Sequence, residues 1–427
     1  MKLAIISDIH LGDPNCTIID QTLRPGTKFS NFVETVGHND YLIILGDALD
    51  FSIAHYNKVY ESAVIFFKEI LKQNIATEII YVPGNHDFEF WHILEHEVNV
   101  IKPILKGKLP REFRWSVPGV FDDRQPNDRD KFSLPDVTPN QDVNEPKYGD
   151  VFLSHLAVEN GRQLNFNVAY PNIYIIGKNG DSALLTHGHY LEQYWVLVGE
   201  WAPKIFKDEL RMADEKKKQL TLQEMVAFNF PLNQLACSGV GQAGALTELI
   251  RKIQRQVKDK ELDDIKKYLN RFDDEILDKE IMAFKPYDPK EWASDAAINL
   301  LKAFVVGELQ KYEAARYDKY FVENEKVRDR FINYYKASVL ELARLRELES
   351  VFRVDIPIPR HIIFGHTHQP ISWSDKRLNV NIGNRKVYLH NTGGWLTRKT
   401  ESGASEFTGA EIFFYESGQG FYSVRVE

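Results

Sequence analysis

The sequence contains very little cysteine. Its 427 residues include only two, Cys16 and Cys237. Two cysteines cannot form the disulfide framework of a small secreted protein, and they match no cysteine-based zinc pattern. A reducing compartment is therefore the simpler expectation.

Long apolar runs are also absent. No stretch approaches the roughly 20 apolar residues that a transmembrane helix needs. The first residues, Met1–Asp8, lead directly into a predicted strand and lack the apolar region and cleavage site of a signal peptide. These absences favour a cytoplasmic protein. They are also compatible with a peripheral membrane contact, because amphipathic surfaces do not need long apolar runs.

The chain lacks an excess of positive charge. Its formal net charge is -8, from 53 Lys and Arg against 61 Asp and Glu. A negative chain without a basic stripe argues against broad electrostatic binding to nucleic acid. Internal repeats and low-complexity tracts are absent too. A hydrophobic content of 43% and a charged content of 27% are those of an ordinary globular protein.

What the sequence does contain is a series of apolar, β-rich runs that end in polar residues. The run Ile43–Leu45 leads into Gly46, Asp47 and Asp50. Four other runs end in Asp8 and His10, in Asn85, His86 and Asp87, in His187 and His189, and in His366 and His368. Sites in open α/β sheets form beyond the carboxyl ends of strands, and carboxylate, amide and imidazole groups bind divalent ions. The pattern predicts a metal site, with Asp47 as a ligand shared by two ions.

The first third of the chain alternates between strand and helix patterns. Strands are predicted at Leu3–Ser7, Tyr41–Leu45 and Glu78–Val82, and helices at Phe29–Val36 and Asn57–Leu71. This alternation is the signature of a parallel sheet with crossover helices, and it indicates an α/β fold.

Further strands follow a long interruption. Residues 111–150 are rich in Pro, Asn and Asp and are predicted to form a surface excursion. Strands are predicted after it at Val151–Leu153, Ile173–Ile176, Ala183–Leu185, His361–Phe364, Lys386–His390, Ile412–Tyr415 and Phe421–Val426. Gly177–Gly180 has the composition of a hairpin turn between the second and third of these.

A helical pattern separates His189 from His366. Apolar stripes at helical spacing include one from Leu246 to Val257 and one from Ile332 to Leu345, and no glycine or proline interrupts 308–350. We therefore expect a large helical cap at residues 190–359, inserted into a catalytic domain of residues 1–189 and 360–427. Tyr190, Tyr194, Trp195 and Trp201 open this cap. They either line a pocket over the metals or pack the cap onto the catalytic domain.

The polar clusters, taken together and in order, resemble the calcineurin-like metallophosphoesterase family. The motifs that carry the resemblance are Asp8-x-His10, Gly46-Asp47-x-x-Asp50, Gly84-Asn85-His86-Asp87, His187 and Gly365-His366-x-His368. The resemblance implies an α/β fold of the αββα sandwich type. It also implies a dinuclear metal-dependent hydrolase, which cleaves phosphoester or pyrophosphate bonds by in-line attack of a metal-bound hydroxide.

The resemblance further implies a role for each motif residue. Asp8, His10 and His368 would bind one ion, Asn85, His187 and His366 would bind the other, and Asp47 would bridge both. His86 would be the catalytic histidine and Asp50 the carboxylate that orients it. Two divalent ions are expected, with Mn²⁺ favoured and Fe, Zn, Ni or Co as alternatives.

Several of these residues have an alternative interpretation. Asp50 could instead cap the following helix. His155 is a rival for the position given to His187. His189 is either an outer contact of the metal site or a group that meets substrate, and it is not among the predicted ligands.

Two other motifs match known patterns without the expected context. His92-Ile93-Leu94-Glu95-His96 fits a zinc-protease pattern but lies on a predicted amphipathic helix, so a helix surface is the simpler interpretation. Gly239-Val240-Gly241-Gln242-Ala243-Gly244 fits the dinucleotide fingerprint but lies between helical segments, and a flexible joint is favoured over nucleotide binding.

The substrate is less well defined. Phe51 stands where protein serine/threonine phosphatases of the family have a phosphate-binding arginine, which argues against a phosphoprotein substrate. The motifs 365–370 and Asn391–Trp395 resemble the UDP-2,3-diacylglucosamine hydrolase group. That group usually has arginine at the position of His86 and a much shorter insertion than 190–359, so architecture can be shared without the substrate.

Three functions are consistent with these patterns. The first is hydrolysis of a small or lipid-linked phosphoester or pyrophosphate that the cap selects. The second is a nuclease or cyclic-nucleotide phosphodiesterase, and the negative charge disfavours the nuclease. The third is a scaffold that has lost the chemistry, which the full set of ligand positions disfavours.

Overall fold

The computed structural model describes residues 1–126, 131–135, 148, 153, 155, 158–159, 161–192, 195–196, 199, 220–234, 325–347, 356–399 and 404–427. All of these residues lie within one unit, which comprises Met1–Gln242 and Lys319–Glu427. In this part of the chain, no helix is both long enough and apolar enough to cross a membrane.

Seventeen strands are described in chain order. They are β1 Lys2–Ile6, β2 Tyr41–Leu45, β3 Glu78–Val82, β4 Gly119–Asp122, β5 Phe132–Ser133, β6 Val158–Glu159, β7 Arg162–Gln163, β8 Asn165–Val168, β9 Asn172–Ile176, β10 Ser182–Thr186, β11 His361–Phe364, β12 Asn379–Ile382, β13 Arg385–Asn391, β14 Thr397–Lys399, β15 Ser405–Phe407, β16 Ala410–Glu416 and β17 Gly420–Val426.

The described helices are mostly in the first quarter of the chain. They are α1 Phe29–Val36, α2 Tyr56–Lys72, α3 Phe88–His96 and α4 Lys102–Leu105, followed later by the helices Leu222–Gln234 and Glu325–Glu347. A π-helical turn, Glu97–Ile101, joins α3 to α4, and His189–Leu191 form a 3-10 turn.

Six strands form the first sheet in the order β17-β16-β1-β2-β3-β8. β1, β2, β3 and β8 run parallel, with Ile5 opposite Ile43 and Ile43 opposite Ile80. The expected alternation of strands and crossover helices is confirmed, and α1, β2 and β3 have the predicted bounds. The carboxyl ends of β1, β2 and β3 therefore meet at one edge.

Seven strands form the second sheet in the order β12-β13-β11-β10-β9-β4-β5. β10 and β11 are parallel neighbours, with Ala183 opposite His361, although 174 residues separate the end of one strand from the start of the other. β9 and β10 form the predicted antiparallel hairpin.

Strand alternation divides the apolar residues between two cores. Ile5 and Ile43 of the first sheet pack in one buried cluster with Ile175 and Ile363 of the second. The opposite face of the first sheet, which includes Ile44, packs in a second cluster that contains the apolar stripe of α2. Two sheets face each other with helices outside, so the predicted α/β sandwich is confirmed.

The interpretation of residues 111–150 as an excursion without strands is wrong in its first part. β4 lies within this range and pairs in parallel with β9, and β5 pairs with β4. The short run Gly119–Asp122 has a weak local signal, and its pairing with a strand some 50 residues later stabilises it. β8 was not predicted either, because its Asn-Phe-Asn-Val pattern is half polar. Of the strand predicted at Val151–Leu153, only Leu153 is described, and it lies in a turn.

The helix Glu325–Glu347 lies in the range predicted for the cap and packs on the second sheet. Tyr174 of β9 donates a hydrogen bond to the backbone oxygen of Ser338, and Tyr334 donates one to Asn172. The members of the predicted stripe from Ile332 to Leu345 are buried or half-buried in the same core cluster as Tyr174 and Tyr334. The cap boundaries stay a prediction, because Leu246–Val257, Tyr194, Trp201 and 239–244 lie outside the described residues.

Candidate metal centre

The predicted ligands follow five strands that end at the same side of the two sheets. Asp8, Asp47 and Asn85 follow β1, β2 and β3, whereas His187 and His366 follow β10 and β11. Within each sheet, backbone hydrogen bonds join neighbouring turns, since Asp8 N–H donates to the oxygen of Gly46 and Gly365 N–H donates to that of His187.

The backbone at these turns is unusual. Among described residues other than glycine, seven have positive φ, and five of them are predicted ligands: Asp8, His10, Asp47, His366 and His368. This left-handed region is costly for residues with a side chain and is concentrated at functional sites. Local strain therefore marks the same positions that the motifs mark.

One cluster consists of Asp8, His10 and His368, all of them buried. Nε2 of His10 lies 3.1 Å from Nε2 of His368, and Nε2 of His368 lies 3.2 Å from Oδ1 of Asp8. The three ligand atoms thus converge on one point.

A second cluster consists of Asp47, His187 and His366, also buried. Nε2 of His187 lies 3.2 Å from Oδ2 of Asp47 and 3.0 Å from Oδ1 of Asn85. The other ring nitrogen of His187, Nδ1, donates to the backbone oxygen of Leu45 at 2.8 Å. Such a hydrogen bond fixes the ring and leaves Nε2 available as a ligand.

The donor sets fit divalent ions. Ligands about 2.1 Å from one ion, at right angles to each other, lie about 3 Å apart. The closest pairs in the two clusters lie 3.0 to 3.2 Å apart, and Nε2 of His10 lies 3.9 Å from Oδ1 of Asp8. Nitrogen and oxygen donors of this kind suit Mn, Fe, Zn and similar ions. Oδ2 of Asp47 also lies 3.9 Å from Nε2 of His10, so this carboxylate reaches toward both clusters.

Asp50 connects His10, a member of the first cluster, to His86. Its Oδ2 accepts a hydrogen bond from Nδ1 of His10 at 2.8 Å, and its Oδ1 accepts one from Nδ1 of His86 at 2.9 Å. No helix starts at Asp50, and α2 begins at Tyr56 without a side-chain cap. Its contacts are therefore those of a carboxylate that orients imidazoles.

His86 differs from the predicted ligands in exposure. Its side chain is 19% exposed, whereas those of His10 and Asp50 are 1% exposed. The backbone N–H of His86 donates to Oδ1 of Asp47 at 2.8 Å. His86 is thus fixed beside the predicted ligands and still reaches solvent, as its predicted catalytic role requires.

Electrostatic shifts in the site arise from burial and from opposite charges packed together. Burial raises the pKa of Asp50, but the charge of His86 and the hydrogen bond from His10 outweigh it and lower the pKa below its usual range. Burial lowers the pKa of His187, but the negative charge of Asp47 has the larger effect and raises this pKa from 6.5 to about 9. Burial and the charge of His187 hold the pKa of His189 well below its usual value.

Glycine is required at two of the turns. A Cβ at Gly365 would overlap with Oδ2 of Asp8, and a Cβ at Gly84 would overlap with Oδ1 of Asp47. The glycines of these two motifs therefore allow the backbone to approach a ligand carboxylate.

Asp87, which had no assigned role, links two of the turns. Its carboxylate accepts hydrogen bonds from the backbone N–H of Ala48 and Gly84 and from the hydroxyl of Tyr81. Burial and the charge of Asp47 raise its pKa to about 6. The fourth letter of the Gly84–Asp87 motif is thus structural.

The Asn391–Trp395 stretch makes hydrogen bonds to two of the turns that carry predicted ligands. Asn391 donates a side-chain hydrogen bond to the backbone oxygen of Gly365 at 2.7 Å, and Trp395 N–H donates to the oxygen of Asp8 at 3.0 Å. The motif that resembles the diacylglucosamine hydrolase group therefore positions ligand turns.

Sequence reasoning missed two residues of the site. Glu192 makes a carboxylate contact with Nε2 of His366. Ser52 donates to Asp50 at 2.8 Å, and its oxygen lies 2.7 Å from Nδ1 of His86. Neither belongs to a motif, and only their position near Asp50 and His189 in sequence could have suggested them.

Neither alternative histidine belongs to a cluster in the described part of the chain. His155 is exposed, which removes it as a rival for the position of His187. His189 is buried, and its Nε2 lies 3.3 Å from the hydroxyl of Tyr170. Its ring centroid is 5.4 Å from that of His187, so it is an outer neighbour of the site.

The zinc-protease pattern does not form a metal cluster in the described structure. Glu95 points into the protein and accepts hydrogen bonds from Asn99 and Tyr148, while His96 is exposed. Phe51 stands at the position where the protein phosphatases have arginine. Its side chain is buried against Tyr56.

Comparison with known proteins identifies the family. Residues 1–222, just over half of the chain, match the sequence profile of the family described as "Calcineurin-like phosphoesterase". A search of curated proteins gave no match. The matched range includes the turns of Asp8, Asp47, Asn85 and His187, and the described geometry adds His366 and His368. The chain belongs to the calcineurin-like phosphoesterase family and is a metal-dependent phosphoester hydrolase.

Proposed function

We propose that the protein hydrolyses a phosphoester or pyrophosphate bond in a small or lipid-linked substrate, which the segment 190–359 selects. The observation that carries the proposal is that two nitrogen and oxygen clusters meet at one carboxylate, Asp47. Such an arrangement suits two ions that share a ligand.

In this proposal the first cluster, Asp8, His10 and His368, binds one ion. Asn85, His187 and His366 bind the other, and Asp47 bridges them. When bound, the two ions supply positive charge for the transferred phosphoryl group and lower the pKa of a water molecule. The donor types favour Mn²⁺, with Fe, Zn, Ni and Co as alternatives.

His86 donates a proton to the leaving oxygen. Because its Nδ1 faces Asp50 at 2.9 Å, the other ring nitrogen, Nε2, is the one available to substrate. The carboxylate of Asp50 stabilises the protonated imidazole and fixes its orientation. The partial exposure of His86 supports this role.

Two observations support a small or lipid-linked ester over a phosphoprotein. Phe51 is buried and offers no cation to a phosphate. The Asn391–Trp395 motif, which resembles that of the diacylglucosamine hydrolase group, makes hydrogen bonds to the turns of Asp8 and Gly365.

The first experiment uses metal-stripped protein, with an aryl phosphate monoester and the matching diester as substrates. We expect hydrolysis when Mn²⁺ is added and none with chelator. The preferred ester separates monoesterase from diesterase chemistry, and a strong diester preference would favour the cyclic-nucleotide or nuclease alternative. No turnover with two bound ions would contradict the proposal.

A second experiment tests whether the substrate is lipid-linked. Nucleoside diphosphate esters with and without an acylated group are compared by kcat/KM. We expect the acylated ester to be hydrolysed faster. Equal values would show that the substrate is a small polar ester.

A further inference from the structure

An exposed aliphatic surface lies at the end of the helical segment that starts beside His86. Ile101, Ile104, Leu105 and Leu109 are 45%, 55%, 79% and 89% exposed. Seven large hydrophobic side chains are exposed in the described part of the chain, and these four fall within nine residues. We call residues 101–109 the apolar tip.

The apolar tip is an ordered protrusion. Gly107 N–H donates to the oxygen of Ile104, Lys108 N–H to that of Pro103, and Arg111 N–H to that of Asn99. Pro103 is buried, as is Val98 at the base. The backbone hydrogen bonds hold the tip in place, so the exposure of its aliphatic side chains is a property of the fold.

The spacing of the exposed residues places them on one side. Ile101, Ile104 and Leu105 have the i, i+3, i+4 spacing of one helical face. In a surface helix of a globular protein such a face is normally turned to the core, whereas here it is turned to solvent. A contiguous exposed apolar surface of this kind marks a binding surface.

The charges around the apolar tip indicate what it binds. Residues 101–111 contain Lys102, Lys106, Lys108 and Arg111 and no acidic residue, in a chain with a net charge of -8. Lys102 forms an ion pair with Glu97 at 3.7 Å. In the described structure, Lys106 and Lys108 form no ion pair. Aliphatic side chains among unpaired lysines are complementary to an anionic lipid bilayer, which offers acyl chains below negative headgroups.

We propose that the apolar tip docks the protein on membranes that contain anionic lipids. Ile104, Leu105 and Leu109 enter the boundary between headgroups and acyl chains, and Lys106 and Lys108 contact the phosphates. This function is independent of the hydrolysis proposed above. The helical segment from Phe88 to Leu105 contains 18 residues and is at most about 27 Å long, so docking would keep His86 close to a membrane surface.

The test is co-sedimentation of the full-length protein with vesicles of phosphatidylcholine containing phosphatidylglycerol, and with vesicles of phosphatidylcholine alone. We expect wild-type protein to bind the mixed vesicles and to bind the neutral ones at least about tenfold more weakly. Leu105→Ser with Leu109→Ser should weaken binding to the mixed vesicles by more than about tenfold. Lys106→Glu with Lys108→Glu should do the same.

Matched controls use exposed residues elsewhere. Leu340→Ser with Val424→Ser removes two other exposed aliphatic side chains, and Lys336→Glu with Lys386→Glu reverses two other exposed lysines. Both control pairs should bind vesicles like wild type. All variants should keep the thermal midpoint and the hydrolysis rate of a soluble ester, which separates loss of docking from loss of folding or catalysis.

Two outcomes would overturn the proposal. The first is failure of wild-type protein to bind mixed vesicles, or binding that neither tip pair alters. The second is a dimer that Leu105→Ser with Leu109→Ser dissociates, which would assign the tip to contact with a second copy of the chain.

Discussion

The carboxylate of Asp47 lies between the two clusters, 3.2 Å from His187 and 3.9 Å from His10. Asp47→Asn should abolish retention of both ions and lower kcat/KM by more than about 100-fold, since even an outer partner of a metal ligand contributes 10- to 100-fold. Metal analysis and ester hydrolysis measure the two effects. Asp329→Asn, at an exposed carboxylate, is the control. Full activity of Asp47→Asn would refute the shared-ligand assignment.

Substitutions of His86 and Asp50 should have different effects on catalysis and on metal binding. His86→Gln should lower kcat by about 10²- to 10⁴-fold while both ions are retained. Asp50→Asn should lower kcat and also weaken metal binding by about 10- to 100-fold, because Asp50 contacts His10 as well as His86. Metal titrations and steady-state kinetics provide the comparison. Loss of metal in His86→Gln would make His86 a ligand.

The metal-free protein should respond to pH through His187. Its pKa rises from 6.5 to about 9 because the attraction of Asp47 exceeds the effect of burial. The stability that its proton contributes is therefore fully present below pH 6.5 and is lost as pH rises through about 9. Binding of Mn²⁺ requires the neutral ring, so the metal-induced rise in thermal midpoint should increase from pH 6.5 to 9. A rise that is constant with pH would contradict this assignment.

The positions that converge in the two clusters were predictable from sequence where a motif follows a strand. Asp8, Asp47 and His187 are examples, because each is preceded by an apolar run with a clear strand signal. Glu192 and Ser52 were not predictable, since their partners His366 and His86 come from other strand ends and only the folded chain brings them together.

At the scale of elements, the turns after the strands depend on their glycines. Gly365→Ala should displace Asp8 or His366, because its Cβ would overlap with the Asp8 carboxylate, and metal retention should fall. Gly383→Ala is the control. Gly383 has a φ of +60° and no atom near its Cβ position, so alanine there should cost only the ~1–2 kcal/mol of the left-handed backbone and leave metal binding unchanged. Metal analysis with urea unfolding distinguishes the two.

The helix Glu325–Glu347 is attached to the second sheet through a buried carboxylate. Glu341 accepts hydrogen bonds from the hydroxyls of Ser116 and Tyr174. Glu341→Ala should lower the free energy of unfolding by about 1–3 kcal/mol, since it leaves buried hydroxyls without an acceptor. Glu341→Gln should cost less, and Glu325→Ala, at a side chain that is 81% exposed, should have little effect. An equal loss for all three would exclude this contact as the cause.

Element bounds were best predicted where apolar periodicity was strong. β2, β3 and α1 match their predicted ranges, and α2 differs by one residue at each end. β4 and β8 were not predicted because their apolar periodicity is weak. They are short, partly polar runs, and their pairing with β9 and β3 stabilises them more than their own composition does.

For the whole molecule, the metals should act as a link between the two sheets, since each proposed cluster takes ligands from both. Chelator should lower the thermal midpoint by several degrees relative to Mn²⁺-loaded protein. A metal ion at about 100 times its Kd stabilises the native state by about 2.7 kcal/mol, and its removal leaves buried carboxylates facing each other. Calorimetry measures the shift. Asp47→Asn, which should not retain metal, ought to show no response to chelator.

β10 and β11 are direct neighbours, and their pairing fixes both ends of residues 187–360. Lengthening a chain between two fixed points costs only about 0.6 kcal/mol for each doubling. Evolution can therefore lengthen, shorten or replace the intervening segment while His187 and His366 keep their positions. In this fold, the chain segment that connects two adjacent strands can therefore change, and with it the substrate specificity, while the proposed catalytic centre stays the same.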